Sequence, residues 1–441
     1  MKINPKNNPN IEYISRDEIR GIQSGRLIDT VSYVYRNSAF YRRYYIENGI
    51  SPEDIKSLDD LNKLPFITRD HLANLSDEMV CVPRSEWIDI CPTSGTTGQS
   101  IYFPMTKNDL ILFARICARG AYSLGIDRND TVQVMLTSDN LLQPTKIMTY
   151  MFQFEIGSLA LRVGPVGTER QVKLMRDLKP DVLFGISTYL QSLGRSLDKY
   201  EFDPKKELDL KLLISTGSTI YHSRWSPTAL HREVSEIWGA PYYSILGSTE
   251  LNTGFWECPA RNGHHVHQDY FIAEIIDPDT GKTLSPGERG ELVMTAMGRE
   301  AMPLVRYRTG DITSLEIDEC PCGRKNPRIM AIVGRRDQML KIKGTLAFPL
   351  QVEEAVLSVQ GIKAHFIEVV NDENGQAQLN ITIAPDPDLE NAPEEVTERV
   401  KSRTLITPRV SLDTRESIES VWYSEKRVKP RKFRDKRKKV S

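Results

Sequence analysis

Between residues 125 and 250 the chain alternates short apolar runs with stretches of helical period. Thr131–Leu136 reads as strand, Glu169–Leu178 as helix, Asp181–Gly185 as strand, Thr188–Tyr200 as helix, Leu212–Ser215 as strand and Tyr221–Trp238 as helix. Parallel neighbours need a crossover, so this alternation predicts a parallel sheet covered by helices, an α/β fold. Ahead of it, Ile19, Ile22, Leu27, Val31, Val34 and Tyr35 recur at helical spacing, which predicts a helical leader. Asn108–Leu124 is a further amphipathic helix. After residue 256 the punctuation changes to Asp277-Pro278-Asp279-Thr280-Gly281 and Ser285-Pro286-Gly287-Glu288. Phe271–Ile276, Gly290–Thr295 and Val305–Tyr307 then read as antiparallel strands.

At 441 residues the chain exceeds one ordinary hydrophobic core, so two or three domains are expected. The boundary is placed near Asp337. Residues 1–336 form a large N-terminal domain: a leader (1–80), α/β layers (81–255) and a β-rich part (256–336). Residues 337–441 form a small α/β domain with helices over Gln351–Ser358 and Ala392–Ile406 and strands over Ala364–Val370 and Gln378–Pro385. A net charge of −1 gives no global attraction to nucleic acid or acidic membranes. No apolar run approaches the ~20 residues that span a bilayer. Met1-Lys2-Ile3-Asn4-Pro5-Lys6 lacks the apolar centre of a secretory signal. Six cysteines in so long a chain are no disulfide framework, and a reducing cytoplasm is expected. The basic end, Lys426–Lys439, reads by itself as a solvated tail or a nonspecific RNA-binding arm.

The chemistry concentrates in a few short motifs. Thr93-Ser94-Gly95-Thr96-Thr97-Gly98-Gln99-Ser100 combines glycines with hydroxyls, a composition that cradles phosphate oxygens. It lacks the Gly-Lys-Ser/Thr ending of a Walker A loop. The plain alternative is a polar hairpin between Ile88–Cys91 and Ile101–Pro104. Downstream come Leu246-Gly247-Ser248-Thr249-Glu250, then Arg306-Tyr307-Arg308-Thr309-Gly310-Asp311, then Gly334-Arg335-Arg336-Asp337 running on to Lys341-Ile342-Lys343-Gly344. A lysine-rich end with Lys429 closes the series. The order and spacing resemble the adenylate-forming superfamily, and within it the phenylacetate–CoA ligase family. The leader fits as well, in Asn37-Ser38-Ala39-Phe40-Tyr41-Arg42-Arg43 and in Ser57–Phe66. The resemblance covers nearly the whole chain.

That resemblance implies the adenylate-forming enzyme fold, with α/β layers, a β-rich subdomain and a small mobile C-terminal lid. It places Ser94, Gly95, Thr96, Thr97 and Gly98 around the β,γ-phosphates of ATP. Gly247, Ser248 and Thr249 then lie near the AMP phosphate, and Glu250 is the magnesium ligand. A carboxylate is a hard donor suited to Mg2+, although a surface glutamate at a helix start is the plain alternative. Leu246 stands where the family usually has an aromatic beside adenine. Gly217 and Ser218 belong to a nucleotide loop, Thr216–Thr219, that departs from the usual Gly-Ala-Glu-Pro. Asp311 is the ribose clamp, or otherwise a turn aspartate, and Arg335 assists at ribose or phosphate. Lys429 is the catalytic lysine, with Lys426 and Lys432 as alternatives, since Val428 replaces the expected glycine. Asp337 is the hinge, and Gly344 lies near the pantetheine arm.

Cys320-Pro321-Cys322-Gly323 is a short thiol knuckle, and Cys258 with His264, His265 and His267 offers further soft ligands. The resemblance picks His265, which implies a structural zinc site of Cys258, His265, Cys320 and Cys322; unliganded cysteines are the alternative. The stretch Thr137–Lys146 lacks the glycines usual beside the acid pocket, so the acid itself stays open. Met148, Met151, Phe152 and Phe154 read as pocket lining or, better, as helix core. The function implied is ATP-dependent activation of a carboxylic acid, most simply an aryl acid, to an acyl-AMP, then transfer to CoA. The cofactors are ATP, magnesium, CoA and zinc, with no membrane or nucleic-acid partner, and a homodimer is left open. Two alternatives stand beside it: an adenylating enzyme that serves an amine or a carrier-protein phosphopantetheine, and an inactive nucleotide- or RNA-binding homologue.

Overall fold

The computed structural model describes residues 9–92, 101–136, 143–222, 225–342, 345–373, 375–422 and 432–437. The chain forms two units, one of Met1–Thr309 with Thr313–Ala331 and one of Gly310–Ile312 with Ile332–Ser441. The division at Ile332 falls ahead of Asp337.

In the first unit, helices α1 (Arg16–Asn37) and α2 (Ala39–Glu47) form the leader. Ser15 caps α1 together with Glu18 in a reciprocal box, and Ser38 ends α1 and caps α2. After α3 (Arg69–Met79), β1 (Asp89–Pro92) and β2 (Tyr102–Met105) pair antiparallel on either side of residues 93–100. Residues 93–100, with Ser94, Gly95, Thr96, Thr97 and Gly98, lie outside the described residues.

The α/β layers follow as α4 (Lys107–Ser123), β3 (Thr131–Val134), α5 (Gln143–Tyr150), β4 (Leu159–Arg162), α6 (Thr168–Leu178), β5 (Val182–Ile186), α7 (Ser187–Gly194), α8 (Pro204–Glu207), β6 (Leu212–Thr216), α9 (Ala229–Trp238) and β7 (Tyr242–Ser248). Strands β4, β3, β5, β6 and β7 lie side by side, all parallel. Leu212–Thr216 is buried throughout, as a strand covered on both faces requires. Met175, Leu183, Leu190, Leu213, Val234 and Trp238 form the core between sheet and helices. The helix expected over Tyr221–Trp238 begins only at Ala229. Tyr221 instead bridges to Pro227, and Thr228 caps the shorter helix by accepting from the His231 N–H.

The same sheet continues antiparallel through β8 (Thr253–Trp256) and β9 (His264–His265). Beside it β10 (Phe271–Ile276) pairs antiparallel with β11 (Gly290–Ala296). Strand β12 (Tyr307–Thr313) starts two residues later than Val305, because Arg306 is left-handed at φ +50°. β13 (Leu315–Glu316) and β14 (Arg328–Ile329) complete the large sheet, and β14 pairs with β9.

In the second unit Gly310–Ile312 pairs with β15 (Gly334–Arg335). β16 (Leu340–Ile342) and β17 (Thr345–Ala347) form a hairpin. Then come α10 (Pro349–Leu357), β18 (Ile362–Asn371), β19 (Ala377–Pro385), α11 (Ala392–Thr404), β20 (Arg409–Leu412), α12 (Arg415–Trp422) and β21 (Phe433–Asp435). The sheet order β20-β19-β18-β21 buries Ile367, Val369, Ile381 and Ile383 against Val352, Val356, Val396 and Val400.

One contact fixes α4 on β8. A Cβ at Gly120 would lie 2.2 Å from Cγ of the fully buried Trp256 on β8. Alanine gains about 1 kcal/mol of helix propensity over glycine, but overpacking costs about 1–3 kcal/mol and a 2.2 Å approach lies at the severe end. Gly120→Ala should therefore lower the urea midpoint without changing the slope of the transition. An unchanged or raised midpoint would contradict this packing.

Candidate functional site

The first group of site residues sits at the carboxyl ends of parallel strands, where open α/β sheets place ligands. Thr216 ends β6, and its hydroxyl donates to the Ile245 carbonyl at 3.1 Å. Gly217 and Ser218 follow directly. Strand β7 runs through Gly247 and Ser248 before turning, and the return pairs Gly247 with Gly254 and Ser248 with Thr253. Thr249 and Glu250 make that turn. The Ser248 hydroxyl donates to Glu250 Oε2 at 3.1 Å and accepts from the Leu251 N–H at 3.3 Å. Thr249 O accepts from the Asn252 N–H at 3.2 Å.

Two arginines that the motifs did not single out hold this turn. Arg299 is buried and donates to the Glu250 carbonyl at 2.6 Å. Burial pulls its pKa down to about 10, so it stays cationic at neutral pH. Arg69 Nη1 lies 4.0 Å from Glu250 Oε1. The Glu250 carboxylate thus projects from the strand end with one oxygen on a hydroxyl and one facing a cation. Met148, Met151 and Phe152 are buried, whereas Phe154 is 69 % exposed.

In the second unit Asp311 stands opposite Arg335 in register, and Arg335 Nη1 donates to Asp311 Oδ1 at 3.2 Å. Arg335 Nε lies 3.6 Å from Asp337 Oδ1. Two short strands therefore hold one arginine against two carboxylates. Gly344, Lys426 and Lys429 lie outside the described residues. Lys432 is described and is already engaged. Its ammonium contacts Glu353 Oε1 at 2.9 Å and lies 5.3 Å from the Trp422 ring centre. His365 Nε2 is 3.4 Å from the same oxygen.

Four side chains of metal-ligating type gather past the end of β8 far from the β7–β8 turn. The Cys258, Cys320 and Cys322 sulfurs and a His265 ring nitrogen all lie within 4.8 Å of one another. Cys258 and Cys320 are 3.6 Å apart, as are Cys322 and His265 Nε2. Zinc–sulfur arms of about 2.3 Å set tetrahedral edges near ~3.8 Å, so both spacings suit the ion. Gly323 takes φ +84° in the knuckle and donates its N–H to the Cys320 carbonyl at 2.8 Å. Burial lowers the His265 pKa and keeps the imidazole neutral, as a ligand must be. The hydrogen bond between Cys258 and Cys322 raises the Cys258 thiol and lowers Cys322, with His265 and Arg324 adding to the fall.

Glu353 sets a pH signature for the second unit. Burial alone would raise its pKa, but His365 and Lys432 outweigh that and hold it at about 2, below the usual 4.5. A carboxylate depressed on folding stabilises above its unfolded pKa and loses that effect as pH falls through the folded value. Glu353→Gln should destabilise this unit at neutral pH, and the difference from wild type should shrink from pH 4.5 towards pH 2. Urea melts across that range check it, and a difference independent of pH would contradict the assignment.

Comparisons with known proteins follow the same lines. The family described as AMP-binding enzyme C-terminal domain matches residues 344–437. A phenylacetate-coenzyme A ligase of Thermus thermophilus is 34 % identical over 394 residues, 85 % of this chain and 84 % of that protein. A phenylacetate-coenzyme A ligase of Pseudomonas putida is 33 % identical over 79 % of this chain and 78 % of its own length. Among solved structures, 2-hydroxyisobutyryl-CoA ligase in complex with 2-HIB-AMP superposes with a TM-score of 0.85 at 25 % identity, over 97 % of this chain and 92 % of that one.

Proposed function

The chain belongs to the phenylacetate–CoA ligase family of adenylate-forming enzymes, and we propose that it activates a carboxylic acid with ATP and passes the acyl group to CoA. In the first step a carboxylate oxygen attacks the α-phosphorus, its bond to the bridging oxygen breaks, and pyrophosphate leaves. In the second the CoA sulfur bonds to the acyl carbon, the acyl C–O bond breaks, AMP leaves, and the thiol proton passes to solvent. The observation that carries this reading is the Ser248–Glu250 turn at the carboxyl end of β7, the strand paired with β6, whose end Gly217 and Ser218 follow.

Each residue then has a task. Glu250 holds Mg2+ against the phosphates, and Arg299 fixes the backbone that presents it. Ser94–Gly98 cradle the β,γ-phosphates. Gly217, Ser218, Gly247, Ser248 and Thr249 line the nucleotide, Asp311 takes the ribose hydroxyls, and Arg335 orients Asp311. Gly344 lets the pantetheine arm approach. Lys429 supplies positive charge where negative charge builds on the α-phosphate. The engagement of Lys432 with Glu353 favours Lys429 or Lys426 in that role. An aryl acid is the simplest substrate, since two relatives are phenylacetate–CoA ligases by name, while the departures at Thr137–Lys146 leave an aliphatic acid open.

The test is ATP–pyrophosphate exchange over a panel of aryl and aliphatic acids, followed by product mass with and without CoA. Exchange with at least one acid and a CoA-dependent thioester are expected. Silence across the panel would favour the nucleotide- or RNA-binding reading, and acyl transfer independent of CoA would favour an amine or carrier acceptor. Lys429→Ala should slow exchange about 10²–10³-fold while still passing a pre-made acyl-AMP to CoA. Equal loss in both steps would remove its assigned role.

The thiol cluster takes a structural zinc ion on this reading, held by Cys258, His265, Cys320 and Cys322. Four protein ligands close the coordination sphere, so zinc supplies folding energy rather than chemistry at the substrate. A reducing cytoplasm suits those free thiols. Metal analysis of the purified protein should return about one zinc per chain. Zinc-free protein with four freely reacting ligands would remove the claim.

A further inference from the structure

The wall of the thiol centre is charged and deeply buried. Arg324 follows Gly323 directly, and its side chain is 1 % exposed. Its Nη1 donates to Glu12 Oε2 at 3.1 Å, across 312 residues of sequence. Glu12 Oε1 lies 3.3 Å from His267 Nδ1, and the Glu12 carbonyl accepts from the Lys325 N–H at 2.8 Å. Burial alone would raise the Glu12 pKa, but His267 and Arg324 outweigh it and keep the carboxylate ionised. A side chain at Gly323 would touch Tyr13, whose ring lies 3.6 Å from the Cβ position there. The first turn of the leader is thus pressed onto the knuckle that carries Cys320 and Cys322.

One group in this wall lacks an oxygen. Arg324 Nη2 is buried and has no hydrogen-bond partner, and Arg324 stands two residues from Cys322, whose thiol pKa its side chain and backbone N–H help to lower. A buried guanidinium carries a heavy cost unless its N–H groups are matched. A thiolate is the acceptor the site offers. Charge leads to the same place. Three thiolates and a neutral imidazole around a divalent ion leave a net charge of −1 in a dry site, and Arg324, held by Glu12, sets a cation beside it.

We propose that Arg324, oriented by Glu12, is a positioning residue of the metal centre, donating to the Cys322 sulfur and placing a cation beside the three-thiolate complex. The inference rests on the zinc reading above. It makes the leader part of the centre, because Glu12 holds Arg324 in place. Groups behind metal ligands typically change metal affinity about 10–100-fold when removed.

The test uses full-length protein with zinc or cobalt(II) as the probe and competition against a chelator of known affinity. Wild type should bind one cobalt with sulfur-to-metal charge-transfer bands. Arg324→Met keeps the bulk and removes the charge. It should weaken zinc binding about 10–100-fold and shift those bands, and Arg324→Lys should recover part of the loss. Glu12→Gln keeps an acceptor for Arg324 without its charge and should weaken binding by less. The thermal midpoint of each metal-free variant serves as the folding control. Wild type that binds neither ion overturns the zinc reading itself. Wild type that binds, with Arg324→Met unchanged in affinity and spectrum, overturns only the role of Arg324. If Arg324→Met does not fold, Glu12→Gln decides, and unchanged affinity there overturns the proposal.

Discussion

Ile186 pairs with Thr216 and Thr216 with Ile245, so three parallel strands end on one line. Because all three run the same way, the loops leaving them share an edge, and the Thr216 hydroxyl on the Ile245 carbonyl ties two of those ends together. Strand β7 alone overshoots the line and doubles back as β8. The overshoot brings Gly247, Ser248 and Glu250 out beyond the sheet while the backbone stays paired with Thr253 and Gly254. A carboxylate presented from a paired turn is better fixed than one on an open loop, and Arg299 beneath it adds a charged anchor. The site therefore follows from strand register before any residue contributes chemistry.

Away from that edge, buried ions hold distant segments together. Arg306 contacts Glu274 on β10 and donates to the Leu64 carbonyl at 2.7 Å, with its guanidinium 4.1 Å from the Phe66 ring centre. Arg119 forms a two-armed pair with Asp269 at 2.8 and 2.9 Å. Glu12 bridges Arg324 and His267. Such pairs are weak evidence for stability, since desolvation offsets much of their attraction. Losing one partner is a different matter, because the other is left charged and buried. The pairs specify which surfaces may meet, so a leader joined through Glu12 and a loop joined through Arg306 have one place to dock.

The periodic segments were legible because burial wrote them into the sequence. Helix α6 and the second unit's β18, β19 and α11 lie within a few residues of their expected limits. The failures have local causes. Tyr221–Trp238 has helical spacing, but Pro227 and the cap at Thr228 delay the helix, and Tyr221 stacks on Trp225 at 4.6 Å instead. The strand expected from Val305 waits for Tyr307 because Arg306 adopts a left-handed backbone, which periodicity does not register. At the site, Cys258 and the Cys320–Cys322 knuckle were legible as soft ligands, and the family resemblance chose His265 from the three nearby histidines. Glu12, Arg324, Arg299 and Arg69 were not, since a lone charged residue reads as solvent-facing and their partners lie far along the chain. Lys432 was ambiguous for a related reason: only the fold shows that Glu353 and His365 stand against it.

The two centres of the first unit are linked by strand pairing. From Glu250 the chain returns along β8, reaches Cys258 just past Trp256, and pairs Trp256 with His265 on β9. A slip of one residue in β8 would turn every side chain to the opposite face. It would take Trp256 off Gly120 and move Gly254 from its place opposite Gly247. Cys258, two residues past Trp256, and His265, the partner of Trp256 on β9, converge on the knuckle at Cys320–Cys322. On the zinc reading proposed above, a closed four-ligand centre there would hold the register of the strand that leaves the Glu250 turn. It would act on the Glu250 turn by fixing the backbone on which that turn is built.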